Sequence, residues 1–174
     1  MRKLNFSSLH NAQIVSIALR AGSIAIIVNM VMLAASDKFG LVTARGGLLK
    51  LVTTFLVAQM SQHEDAQAAS WLIELTGTHV FQAAFHFVVG LLMAVVFVKS
   101  AGGYLERHAW FAGLVAAILV WIINAAVILP LLGEGVAGSH AISLTGIVYF
   151  AVAHTAFFIL LSLIARRRLI AESP

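Results

Sequence analysis

The chain has 174 residues, of which 61% are hydrophobic and only 10% are charged, which excludes an ordinary soluble domain because a chain of this length could not bury so much apolar surface. The net charge of +4 comes from a few Lys and Arg residues at the ends of apolar runs, which favours a lipid bilayer over nucleic acid as the partner. Because the chain has no cysteine, disulfides, thiolate zinc sites and iron–sulfur clusters are excluded.

Long continuous apolar runs predict an all-α integral membrane protein, because a helix of about 20 apolar residues crosses the hydrocarbon core and satisfies its own backbone. The first predicted span covers residues 14–35, after Arg2 and Lys3, and contains Arg20, whose side chain can reach back to the headgroups. A basic start followed by an apolar run and small residues is also typical of a cleavable signal peptide, which is the rival interpretation of this segment.

Residues 37–78 form a mixed region between the first and second spans. From Gly47 to Met60 the apolar side chains recur on one helical face, but the segment is too short to span, so we predict an interfacial or re-entrant amphipathic helix. A second short helix is predicted over residues 66–75. The loop between the two helices carries His63, Glu64 and Asp65.

Three further spans are predicted over residues 79–98, 109–132 and 142–165. Glycines in the connections, at Gly102-Gly103 and around Glu134, predict short turns and therefore antiparallel neighbours. Pro130 is expected to kink or end the third span. The predicted fold is a four-transmembrane-helix bundle with an extra amphipathic helical segment in its first loop.

Small residues recur at every fourth position in the second and third spans, which permits close contact between helices. They are Gly90 and Ala94 in the second span, and Ala109, Gly113 and Ala117 in the third.

The distribution of Lys and Arg predicts the orientation of the bundle. In a four-span arrangement the basic residues of both termini and of the second connection fall on one side: Arg2, Lys3, Lys99, Arg107, Arg166, Arg167 and Arg168. The positive-inside rule makes that side cytoplasmic, so both termini of a multi-pass bacterial inner-membrane protein are expected there. Three basic residues of the first loop weaken the bias: Lys38, Arg45 and Lys50.

Polar side chains inside the spans are candidate functional residues, because an unpaired polar group in hydrocarbon is costly. They are Asn29, Gln82, His86, Asn124, Tyr149, His154 and Thr155. On the second span, His79, Gln82, His86 and Gly90 recur at spacings of three and four and share one face, which is expected to look into the bundle.

His86 and His154 are expected to lie at similar depth on parallel helices and could meet in mid-membrane. Three interpretations remain open. Each imidazole could serve as hydrogen-bonding glue between helices; the pair could form a proton relay or a metal or solute site, with no metal identified; or the two could be the axial ligands of a b-type haem.

Motifs for phosphate binding, nucleophilic catalysis, paired catalytic carboxylates and zinc proteases are absent from the sequence. We therefore predict a non-enzymatic membrane protein: a small transporter, a channel component or an accessory or structural subunit. Four short spans rarely enclose a pathway alone, so a homo-oligomer or a larger membrane complex is expected. The alternative is a haem-binding electron-transfer subunit.

Several residues of the second half follow one another in an order shared with a known family. They are His86, Trp110, Gly113, Pro130, Gly133 and His154. This order resembles that of the YagU-like small inner-membrane proteins of bacteria, and the resemblance covers only the second half of the chain. It implies a bacterial inner-membrane four-helix protein without an assigned enzymatic activity.

Overall fold

The computed structural model describes residues 6, 10–44, 46–62 and 65–172, and these are helical with no strand. Five positions discussed above lie outside the described residues: Arg2, Lys3, Arg45, His63 and Glu64. The α-helices are α1 (Asn11–Lys38), α2 (Gly47–Gln62), α3 (Ala66–Gly77), α4 (His79–Ile123), the single turn α5 (Leu129–Leu131) and α6 (Leu144–Glu172). A π-helix, Asn124–Ile128, joins α4 to α5, and a 3₁₀ turn, Val136–Gly138, precedes α6.

Within the described residues, three helical segments are long and apolar enough to cross a membrane: Asn11–Lys38, His79–Leu131 and Leu144–Glu172. Their outward faces carry large apolar side chains that are more than half exposed, including Val31, Leu92, Val96, Phe111 and Val152. Exposed apolar surface of this extent is what lipid contact requires. The protein is therefore an all-helical chain with the features of a membrane protein.

The first loop contains two helices within two residues of the predicted bounds. Asp65 caps the start of α3, because its carboxylate accepts a hydrogen bond from Ala68 N–H at 3.1 Å. Thr78 caps the start of α4 in the same way, accepting from Phe81 N–H at 3.2 Å. The Thr78 cap starts α4 directly after α3, so Thr78 is the one residue between the two helices.

The turn predicted at Gly102-Gly103 is wrong in position, because α4 continues through both glycines. Its break lies at His108, whose φ of −133° and ψ of 37° are not helical. Gly102 remains helical and faces the Phe6 ring, which leaves no room for a side chain there. The glycine thus serves packing, and the bend falls farther along the chain.

The two arms of α4, residues 79–107 and 109–123, run side by side. His86 on the first arm and Asn124, just past the second, border the same cavity. A straight helix of that length would hold them roughly 55 Å apart. The chain therefore reverses direction near His108, and each arm packs as a separate helix.

Close contacts fix how the helices pair. A Cβ added at Gly22 of α1 would lie 2.6 Å from the Ala94 Cβ of the first arm, and one added at Gly113 of the second arm would lie 2.8 Å from the Phe158 carbonyl of α6. The small residues predicted for helix contact therefore lie where backbones approach. Asn29 meets Ala153 farther along, so α1 also packs against α6.

Charged residues mark the two ends of the bundle. At one end, the Arg166 end, Arg166 Nε donates to the Glu106 carbonyl at 2.9 Å. At the other, the His79 end, Lys50 pairs with Glu134. Most of the basic residues on the described helices fall at the Arg166 end, including Lys99, Arg107 and the run from Arg166 to Arg168.

Pro130 ends the second arm, as expected. Proline has no N–H to continue the helix, and just before it the backbone widens into the π-helix, in which Leu129 N–H donates to the Asn124 carbonyl. The helix stops after Leu131, and Gly133 adopts a φ of 75°, which favours glycine.

Candidate functional site

Asn29 links three helices at the centre of the candidate site. Its side chain is 1% exposed. The amide Nδ2 donates to the Ala153 carbonyl of α6 at 2.9 Å, and Oδ1 lies 2.9 Å from His86 Nε2 on the first arm of α4. One buried amide therefore fixes α1, α4 and α6 relative to one another.

The Asn29 contacts determine the tautomer of His86. Because the Ala153 carbonyl can only accept, the nitrogen of the Asn29 amide must face it, which leaves Oδ1 facing His86. Oδ1 can only accept, so His86 Nε2 carries the hydrogen and donates it. In a neutral His86 the lone pair is then on Nδ1.

His154 lies one residue beyond the Asn29 contact on α6. Its Nδ1 lies 3.0 Å from the Phe150 carbonyl and therefore carries a hydrogen, while its ring packs 4.2 Å from the Phe150 ring, centroid to centroid. In the neutral imidazole, Nε2 holds the lone pair. Within the described part of the chain, Nε2 makes no hydrogen bond.

Asn124 contributes a second polar group from the start of the π-helix. Its Nδ2 donates to the Val120 carbonyl at 3.0 Å, one turn back. Oδ1 is consequently turned away from its own helix. π-helical turns are frequent at functional sites because they displace side chains from the regular helical positions.

These residues border a cavity of about 340 Å³, a volume within the range of ligand pockets. Asn29, His86, Asn124 and His154 all line it, and most of the remaining wall is apolar. The apolar wall comes from α1, α2, both arms of α4 and α6, with Ile26, Leu33, Leu49, Val89, Met93, Val120 and Phe157 among its residues. The cavity is therefore a mainly apolar space with a few polar groups on its wall.

The mouth of the cavity lies at the His79 end. The exposed lining residues are Ala34 and Asp37 at the C-terminal end of α1, His79 and Ala83 at the start of α4, and Leu48 of α2. The other end is closed, because the Arg166 half of the bundle is filled by packed apolar side chains such as Ala18, Ala21, Phe97, Val98 and Leu161. The cavity reaches from one end to the middle of the bundle.

The predicted polar residues do not all gather at this site. Gln82 lines the cavity, but its Nε2 donates to the Thr76 and Gly77 carbonyls at 3.3 Å and so ties the end of α3 to α4. Tyr149 donates to the Met32 carbonyl at 2.6 Å, and Thr155 to the Ala151 carbonyl of its own helix at 2.8 Å. Neither Tyr149 nor Thr155 borders the cavity.

All four residues of the predicted polar face on the second span, His79, Gln82, His86 and Gly90, line the cavity. Sequence reasoning missed Asp37 at the mouth and the start of α2 in the wall. Asp37 begins the mixed region that follows the first predicted span, so the sequence does not mark it as a site residue. Leu48 belongs to the predicted amphipathic face, but an amphipathic pattern does not specify what the face contacts, and Leu49 is not among the positions of that face.

Within the described ranges, no group of three or more His, Asp or Glu side chains is placed to hold a metal ion. A b-type haem fits only in part. His154 Nε2 can ligate iron, but His86 presents an N–H at Nε2 to Asn29, so ligation by that nitrogen requires the Asn29 bond to break.

Comparison with known proteins gives no relative for this chain. No family model matches it, and neither a curated protein nor a solved structure is significantly similar to it. The site must therefore be interpreted from its own geometry.

Proposed function

We propose that this chain is a four-span protein of the bacterial inner membrane that binds a small solute in the cavity between its helices. The observation that carries the proposal is the cavity itself, about 340 Å³ of mainly apolar space with Asn29, His86 and His154 on its wall. Pockets of this kind, with apolar walls and a few placed polar groups, are the usual form of small-molecule sites.

Four spans follow from treating the two arms of α4 as separate crossings. Each arm, α1 and α6 then crosses once, and the connection at His108, the start of α1 and the end of α6 lie at the Arg166 end. The positive-inside rule makes this end cytoplasmic. The cavity mouth, at the His79 end, then faces the periplasm. The resemblance to the YagU-like proteins agrees with an inner-membrane location.

A cavity that stops halfway favours ligand binding over free conduction. In the part of the chain that the structure describes, apolar side chains pack the half of the bundle nearest the Arg166 end, and the cavity lining includes none of Ala18, Ala21, Phe97, Val98 and Leu161. The protein is thus a solute-binding subunit, or a carrier in its outward-facing conformation, acting as a homo-oligomer or within a larger membrane complex. The mainly apolar core around Ala18 and Leu161, which also buries Ser162, is the part that a carrier would have to open.

The proposal is tested by asking what the purified protein holds. Protein in lipid nanodiscs is extracted and its small molecules are measured by mass spectrometry against empty nanodiscs. Ala83→Phe places a ring at the cavity mouth, whereas Ala84→Phe places the same ring on the neighbouring exposed position, which does not line the cavity. The bound molecule should be lost from the first variant and kept by the second. Equal retention by both variants, or no bound molecule in the wild type, contradicts the proposal.

The second candidate is a b-type haem protein with His86 and His154 as axial ligands, favoured by the two imidazoles on one cavity. Its test is the visible absorption spectrum and iron content of detergent-purified protein. A haem band that is abolished by His86→Ala and by His154→Ala would establish it and replace solute binding as the function. A spectrum without the band rejects it.

A further inference from the structure

The hydrogen bonds of two cavity-lining residues, His154 and Asn124, leave one acceptor atom of each without a donor in the described part of the chain. His154 Nδ1 donates to the Phe150 carbonyl, and Asn124 Nδ2 donates to the Val120 carbonyl. His154 has thus used its ring N–H on its own helix, and the Asn124 amide has used one of its two N–H groups. This leaves two acceptors, His154 Nε2 in the neutral state and Asn124 Oδ1, and one donor, the second N–H of Asn124.

These two atoms border open space. Every fully buried side-chain nitrogen and oxygen in the described part of the chain has a hydrogen-bond partner. His154 and Asn124 make no side-chain hydrogen bonds there beyond those to Phe150 and Val120. Nε2 and Oδ1 are therefore accessible, and both residues line the cavity.

Acceptors select the chemistry of a ligand. A ketone or quinone carbonyl can accept from the second Asn124 N–H but has no hydrogen to donate to either acceptor. An ammonium group could donate, but the acidic residue of the lining, Asp37, lies at the mouth, and a cation brought to mid-membrane without a counter-charge is costly. A neutral hydroxyl group can donate to either acceptor and can also accept from the second Asn124 N–H, and it carries no charge.

The rest of the cavity fixes the body of the ligand. Its walls are mainly apolar, with rings from Phe85, Phe150 and Phe157, and its volume of about 340 Å³ is at the small end of ligand pockets. An apolar body of one or two rings, or of comparable aliphatic size, fits this space.

We propose that the cavity binds small neutral hydroxyl compounds, phenols or alcohols with an apolar body, whose O–H donates to His154 Nε2 or Asn124 Oδ1. The inference rests on the proposed solute-binding function and adds the class of the solute. A phenol and its methyl ether test solute binding and the hydroxyl class separately, because the two compounds share an apolar body and only the phenol has an O–H donor.

The experiment measures the affinity of 4-propylphenol and 4-propylanisole for the full chain in nanodiscs by titration calorimetry, with empty nanodiscs subtracted. The phenol should bind about fivefold more tightly, the effect of one net neutral hydrogen bond. Partition into lipid favours the ether, so it cannot produce this preference. Binding of neither probe would overturn solute binding in this cavity, and the inference with it. Equal affinities would overturn only the hydroxyl class.

Variants locate the preference. His154→Phe keeps a ring and Asn124→Leu keeps the approximate shape, and each removes one acceptor. Together they should bring the two affinities to within twofold of each other while both probes still bind. Thr155→Val, which changes a hydroxyl outside the cavity, should keep the fivefold preference. Because the hydroxyl can use either acceptor, it is a fivefold preference retained by the double variant that overturns the assignment of these acceptors. If that double variant does not fold, His154→Phe combined with Asn124→Ala, which removes volume at the second position, replaces it in the same measurement.

Discussion

Lys50 Nζ lies 3.2 Å from Glu134 Oε1, and this ion pair joins the start of α2 to the loop that follows α5. Lys50 follows Leu48 and Leu49, which form part of the cavity wall. The pair also bears on orientation, because it neutralises one of the basic residues that weakened the positive-inside bias. Glu134 is only 18% exposed, whereas Lys50 is 63% exposed.

We expect Lys50→Gln to loosen α2 over the cavity with little change in global stability, since exposed ion pairs stabilise weakly. The chain has no cysteine, so a single cysteine at Leu49, which is buried, reports on local opening. Labelling of Leu49→Cys by a thiol reagent should become several-fold faster in the Lys50→Gln background.

Glu134→Gln should have the same effect, and combining both changes should add nothing, because the second change removes a partner already lost. High salt should speed labelling of the parent and leave the Lys50→Gln variant unaffected. An additive double variant would mean that the pair does not hold α2.

Asn29→Leu should lower the free energy of unfolding by about 1–2 kcal/mol, because it removes two interhelical hydrogen bonds and leaves the His86 N–H without its acceptor. His86→Gln should cost about 0.6 kcal/mol or less, since the glutamine amide can donate to the same oxygen. Reversible unfolding in mixed micelles measures both changes.

Thr155→Val is the matched control, because its hydroxyl bonds only the Ala151 carbonyl of its own helix. Its effect should be within a few tenths of a kcal/mol of zero. If Asn29→Leu is as mild as Thr155→Val, Asn29 does not organise the bundle.

Gly22→Ala should destabilise the protein by about 1–3 kcal/mol, the usual effect of overpacking, because the new methyl group would lie 2.6 Å from the Ala94 Cβ. Gly103→Ala should instead stabilise it by about 0.5–1 kcal/mol, because a Cβ there meets nothing within 4 Å and alanine favours the helix. The same micelle measurement compares them, and a stabilising Gly22→Ala would contradict the close approach of α1 and α4.

Apolar periodicity located the helices well, because length and hydrophobicity alone determine where a span fits. The position of α2 followed from amphipathic patterning, and that of α3 from the acidic loop that precedes it. The break in α4 was misplaced because glycine marks either a turn or a close contact, and only the position of Phe6 shows which applies at Gly102.

The site was predictable only in part. The spacing of His79, Gln82, His86 and Gly90 on one helix fixes their shared face. Which polar groups satisfy one another depends on helix register, which a single sequence does not give. For this reason the bond from Asn29 to the Ala153 carbonyl could not be foreseen. For the same reason the sequence could not show that Tyr149 and Thr155, which are polar like the site residues, lie outside the site.

Replacing Arg166, Arg167 and Arg168 together with neutral residues should weaken the orientation of the protein, because these residues are the densest positive charge at the Arg166 end. Reporter fusions at the C-terminus that are active on only one side of the membrane measure this. The parent should report a cytoplasmic C-terminus, and the triple variant a mixture.

Arg20→Ala is the control for charge within a span. The Arg20 side chain is exposed on α1, where its long stem can reach the headgroups, so its removal should leave insertion and orientation unchanged. A periplasmic C-terminus in the parent would reverse the bundle and place the cavity mouth on the cytoplasmic side. Labelling of His79→Cys in intact spheroplasts by an impermeant thiol reagent checks the same point independently, because it should occur only if the His79 end faces the periplasm.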